Sequence, residues 1–65
     1  MPSIERDLRR IRQRLLEEGW TIVRQDGPHD VFRHPERKGV VVVPRHRGEL
    51  ATGTARSIAQ QAGWL

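Results

Sequence analysis

The chain has 65 residues, with twelve basic side chains against eight acidic ones and a formal charge of +4. A domain this short buries only roughly 60% of the surface its unfolded chain would expose. With no cysteine, neither disulfides nor thiolate–zinc ligation can supplement its thin core. No apolar run approaches the ~20 residues of a membrane span and no signal-peptide core follows Met1. The expectation is therefore one cytoplasmic domain, residues 1–65, without membrane association. Eleven of the twelve basic residues are arginines, whose planar donor forks suit phosphate oxygens, so the charge balance favours a polyanionic partner.

Residues 3–18 carry the pattern of an amphipathic helix. Ser3 is placed to cap it, and Glu5 and Asp7 fall in the first turns, where the helix dipole favours carboxylates. Ile4, Leu8, Ile11, Leu15 and Leu16 make one apolar stripe, and Gly19 stands at the natural stop. Residues 20–25, rich in β-branched and aromatic types, predict a strand. Asp26-Gly27-Pro28 breaks it, and residues 29–34 resume in extended form. Pro35 to Gly39 predicts a second turn, Val40 to Val43 a third strand, and Pro44 its end. After a polar loop from Arg45 to Gly53, Thr54 can cap a short helix running to Ala62, with Gly63 as its stop. The order α-β-β-β-α, with two tight connections, predicts an α+β fold: a three-stranded antiparallel sheet with two helices on one face. That order is similar to the double-stranded-RNA-binding fold, an analogy of fold alone.

Three histidines, His29, His34 and His46, are the candidates for chemistry. Zinc needs three or four converging ligands, and His29 and His34 point to opposite faces of a regular strand, so no metal or other cofactor is expected. If Phe32 points at the helices, Asp30 and His34 share its side, while His29, Val31 and Arg33 share the open face. A histidine and an arginine on an open sheet face suit RNA cleavage. Histidine can take a proton from the ribose 2′-hydroxyl or give one to the leaving 5′-oxygen, and arginine can neutralise the phosphate. On spacing alone, a surface histidine after a turn has an equally ordinary reading as a hydrogen-bonding residue.

Helical spacing pairs Glu5 with Arg9, Asp7 with Arg10, and Arg14 with Glu17 or Glu18. Arg6 and Arg12 lack an acidic partner at that spacing, and with Arg45 and Arg47 in the long loop they are the leading phosphate contacts. Trp20 and Trp64 stand without the further aromatics of a stacking platform and are expected to pack.

The segments Gly19-Trp20-Thr21-Ile22-Val23-Arg24, Gly27-Pro28-His29, Pro44-Arg45-His46 and Gly53-Thr54-Ala55-Arg56-Ser57-Ile58, in this order, resemble the HicA toxin family, small endoribonucleases of bacterial toxin–antitoxin pairs. The resemblance runs from the first helix to Gly63. It implies a metal-independent mRNA endoribonuclease with His29 as the catalytic histidine, shaped by Gly27 and Pro28, and a Pro-x-His segment like that of His46 recurs in the family. From the residues themselves, Arg33 on the open face joins Arg6, Arg12, Arg45 and Arg47 as the expected RNA contacts, and the ordinary reading of His46 is a loop histidine that caps a carbonyl or contacts the second helix, with support of the site as the other. The resemblance also implies a HicB-like antitoxin that covers the active surface, and leaves open a homodimer or a hetero-oligomer with that antitoxin. The family usually has Gly-Ser-His where this chain has Gly27-Pro28-His29, and proline offers no donor in place of the serine hydroxyl. The alternative is a binding module of the same fold that has lost catalysis.

Overall fold

A computed structural model of the protein describes residues 4–65. The elements run α1 (Leu8–Glu17), β1 (Thr21–Asp26), β2 (His29–His34), β3 (Arg37–Pro44) and α2 (Thr52–Gln61). The strands form one antiparallel sheet in the order β1-β2-β3. Both helices contribute to a single core with the inner face of that sheet: Leu8, Ile11 and Leu15 of α1 and Ala55 and Ile58 of α2 meet Phe32, Val41 and Val43. The α+β architecture expected from the sequence is the one observed.

Element limits differ from expectation for local reasons. The first helix begins at Leu8, five residues later than residue 3, because Asp7 is its cap and accepts from the Arg9 backbone N–H at 2.9 Å. The expected Ser3 cap lies outside the described residues. The segment before α1 pairs with the long loop instead: Leu8 N–H donates to the Gly48 carbonyl and Leu50 N–H to that of Arg6. This pairing buries Leu50 and leaves Ile4 packed against the core. Leu16, expected in the apolar stripe, is 57% exposed, so the buried stripe is narrower than the apolar one. The second helix starts at Thr52, with Ala51 at its cap position and no side-chain cap bond, so Thr54 lies inside the helix rather than at its start.

Both helices end the same way. Gly19 and Gly63 take positive φ, and the following tryptophans, Trp20 and Trp64, donate backbone N–H bonds to Leu15 and Ala59. With Gly19 N–H on Leu16 and Gly63 N–H on Gln60, each terminus is a Schellman motif closed by a Gly-Trp pair. Trp20 is buried in the core and Trp64 packs against it, the packing role expected of both. The His34 ring meets Trp20 edge-on at 5.3 Å, accepts the Glu36 N–H at Nδ1 and donates from Nε2 to the Glu18 carbonyl. The acceptor role of Nδ1 assigns the proton to Nε2.

The two connections of the sheet are tighter than expected. Gly27-Pro28 alone links β1 to β2, with Asp26 paired to His29, and Pro35-Glu36 alone links β2 to β3, with His34 paired to Arg37. Strand β3 therefore begins at Arg37 rather than Val40. Gly27 has φ +59, the sign a type II′ hairpin turn requires at its first central position.

One polar contact crosses the whole packing arrangement. Asp30, on the inner face of β2, is 4% exposed; its Oδ2 accepts from Arg12 Nη1 of α1 at 2.8 Å. Arg12 Nη2 donates to the Pro44 carbonyl at the end of β3, also at 2.8 Å, and the guanidinium lies over the Phe32 ring at 5.9 Å. One side chain thus ties α1 to two strands. Removing one partner of a buried pair costs about 3–5 kcal/mol, whereas replacing both by apolar groups is often neutral. Arg12→Met is expected to lower stability by about that amount in thermal or urea denaturation, and the double variant Arg12→Met/Asp30→Leu to recover most of it.

A second charged cluster holds the C-terminus. Glu18 accepts from Trp64 Nε1 at 2.7 Å and from Arg14 Nε at 3.0 Å, and the Arg14 guanidinium lies 4.1 Å from the centre of the Trp64 ring. The Trp64 bond foremost, then Arg14 and the charge of Arg37, hold the Glu18 carboxyl below its ordinary 4.5 against an opposing desolvation effect. A lowered folded-state value means the contribution is complete above about pH 4.5 and is lost as pH falls through that lower value. Glu18→Gln is expected to flatten this acid limb in melting temperatures measured from pH 6 downward.

Candidate functional site

The end of the sheet that carries the Gly27-Pro28 turn gathers most of the residues singled out in the sequence. Alternation along β2 sends Asp30 and Phe32 inward and His29, Val31 and Arg33 outward. The outer face holds a shallow depression of about 210 Å³ lined by Val23, Arg24, Asp26, His29, Val31, Arg33, Val40 and Val42. Its floor is apolar. Val31 is buried there without belonging to the helix-side core, because Arg24 and Val42 flank it on the neighbouring strands. Polar groups stand around this floor: His29, Arg33, and the Arg24–Asp26 ion pair at 4.0 Å. His29 is exposed, and no side-chain hydrogen bond engages its ring among the described residues.

Spacing on β2 alone foresaw His29 with Arg33. It did not foresee Arg24 and Asp26. A bulge between Ile22 and Arg24 shifts the register of β1, so that Arg24 lies opposite Val31. Such a bulge re-aims side chains without a clear sequence signature. The sequence places Asp26 in the turn, whereas it is the last residue of β1 and pairs directly with His29.

Arg45 braces the turn that presents His29. Its backbone N–H donates to the Pro28 carbonyl at 2.8 Å and its Nη1 to the Gly27 carbonyl at 3.1 Å. Its Nε also lies 3.8 Å from Asp30 Oδ1, a buried oxygen that has no hydrogen bond among the described residues. Pro28 thus contributes a carbonyl acceptor to the turn and has no N–H to need a partner. Gly27 and Pro28 shape the position of His29 through backbone geometry.

The remaining arginines are divided among different tasks. Helical spacing gave Arg12 no acidic partner, but the tertiary fold supplies Asp30. Arg6 Nε donates to the Leu50 carbonyl at 2.7 Å and helps fix the long loop. Arg10, rather than Arg9, lies near Glu5 at 4.0 Å, and Arg14 pairs with Glu18. Arg9, Arg33 and Arg47 make no ion pair among the described residues. His46 and Arg47 line a second, larger cleft of about 580 Å³ with Asp7, Leu8, Arg9, Arg12 and Gly48, on the helix side of the same end of the molecule. The structure therefore separates His46 from the depression around His29.

Among the described residues, no helix is long and apolar enough to cross a membrane. A search of curated proteins gives no match. The model of a protein family described as the HicA toxin of bacterial toxin–antitoxin pairs matches residues 8–64, from the first residue of α1 to Trp64. With all five elements inside that match, the chain belongs to the HicA toxin family, a membership that implies an antitoxin partner.

Proposed function

We propose that this toxin is a metal-independent endoribonuclease that cleaves mRNA, with His29 as its catalytic histidine. The observation that carries this reading is an exposed imidazole, without a side-chain hydrogen bond among the described residues, that lines an apolar-floored depression on the open sheet face together with Arg24, Arg33 and Asp26. In the proposed reaction the ribose 2′-oxygen attacks the adjacent phosphorus, and the bond from phosphorus to the 5′-oxygen breaks. His29 takes the 2′-hydroxyl proton or protonates the leaving 5′-oxygen, with solvent water as the partner for the other proton transfer. Arg33 and Arg24 supply positive charge to the non-bridging oxygens of the phosphate. Arg45 keeps the turn beneath His29 in place, and Arg12 acts through Asp30 and Pro44 as a positioning residue. Arg6 and Arg47 extend the basic surface along which RNA would lie.

The open face also suits the antitoxin. The exposed Val23 and half-buried Val40 and Val42 form an apolar strip that a protein partner could cover, and covering it would close off His29. One structural feature favours a second reading, a binding module without catalysis: Pro28 places no hydroxyl next to His29.

His29→Ala is expected to reduce cleavage of a labelled RNA by about 10²- to 10⁴-fold while leaving the melting temperature and antitoxin binding nearly unchanged. A loss below tenfold removes His29 from general acid–base catalysis. Pro28→Ser is expected to leave the rate within a few-fold of the parent, because the turn is held through backbone atoms. A large gain would favour the reading in which proline has cost the chain its activity.

A further inference from the structure

The cleft on the helix side of the molecule lies apart from the depression around His29, although Arg12 and Arg47 of its lining already serve the proposed reaction as a positioning residue and as part of the basic surface. Three arginine-bearing positions, Arg9, Arg12 and Arg47, line it against one carboxylate, Asp7. Asp7 is engaged as the cap of α1, and Arg12 is engaged with Asp30 and Pro44. Arg9 and Arg47 have no ion-pair partner among the described residues. They face the cleft from two different elements, the first turn of α1 and the loop after β3.

His46 completes the lining. Its Nδ1 lies 2.9 Å from the Arg47 carbonyl oxygen, which can only accept. The neutral ring therefore carries its proton on Nδ1 and keeps a lone pair on Nε2. An imidazole oriented in this way is an acceptor for a hydroxyl, while the two arginines beside it are donors for a phosphate. One ribose–phosphate unit of RNA presents that combination: an anionic phosphodiester next to a 2′-hydroxyl.

We infer that this cleft is a second RNA subsite, holding one ribose–phosphate unit away from the bond being cut, with Arg9 and Arg47 on the phosphate and His46 Nε2 accepting from the 2′-hydroxyl. The inference rests on the reading of the chain as an RNA-acting toxin, and it assigns His46 a role in distinguishing RNA from DNA. The two sites lie at one end of the sheet: Pro44 pairs with His29, and His46 follows two residues later. A single strand could therefore engage both.

The test uses RNA and DNA oligonucleotides of one sequence, bound at several salt concentrations to the His29→Ala chain so that the RNA stays intact. The Arg9→Ala/Arg47→Ala pair added to that chain is expected to weaken binding of both oligonucleotides about tenfold or more. It should also flatten the salt dependence by about 0.7, the value for one phosphate on a single strand. Lys38→Ala, which removes a charge at the start of β3, is expected to leave the slope near the parent value. His46→Ala should remove most of the preference for RNA while keeping the slope. An unchanged slope in the arginine pair, with native-like melting, overturns the subsite. An unchanged RNA-to-DNA ratio in His46→Ala overturns the hydroxyl contact. A parent chain that fails to cleave RNA yet shows these binding effects contradicts the role of His29 and supports the subsite.

Discussion

The buried pair of Asp30 and Arg12 is the constraint from which the arrangement of this protein follows. A carboxylate enclosed at 4% exposure requires a charged partner, and the 2.8 Å bond from Arg12 supplies it from the opposite layer. Fixing Asp30 on the inner face also fixes the register of β2. Because side chains alternate, the residue before it must face outward, and that residue is His29. A slip of one residue would bury His29 and expose Phe32. The same arginine holds the Pro44 carbonyl, so the end of β3 and the loop after it are placed by the contact that orients the histidine.

The basic character of the chain is thus spent on two levels. Part of it is internal structure: Arg12 on Asp30, Arg14 between Glu18 and Trp64, Arg6 on a loop carbonyl, and Arg45 on the Gly27 carbonyl. The rest faces outward, on the open sheet face around His29 and in the cleft beside α1. Net charge alone does not separate these uses, because an exposed guanidinium and a buried one count equally. A domain of about this size has few residues to devote to function alone. Bracing residues such as Arg45 and Arg12 therefore stand directly beneath the surfaces they support.

Much of the fold was legible because short-range rules dominate it. The apolar stripe of α1, the β-branched runs and the Gly-Trp stops each reflect local geometry, and the α-β-β-β-α order follows from them. The outward face of His29 was legible too, from Phe32 as the inner residue and strict alternation. Features that depend on tertiary contact were not. Asp7 displaced the expected helix start because the chain before it pairs with residues 48–50. The bulge near Val23 moved Arg24 onto the open face. Arg12, without an acid at helical spacing, found Asp30 eighteen residues away. The cleft around His46 joins segments separated in the chain by the whole sheet, and no spacing rule links them. The likeness to HicA toxins rested on short segments in order, and the family match over residues 8–64 supports that reading.

The most direct test of the account is the chemistry of the ends that the chain leaves on RNA. Purified protein would be incubated in EDTA with an end-labelled RNA, and the new 3′ termini identified. Attack by the ribose 2′-oxygen predicts fragments ending in a 2′,3′-cyclic phosphate or its hydrolysis product, paired with 5′-hydroxyl ends. An intact RNA, or fragments with 3′-hydroxyl and 5′-phosphate ends, would contradict a metal-independent reaction centred on His29.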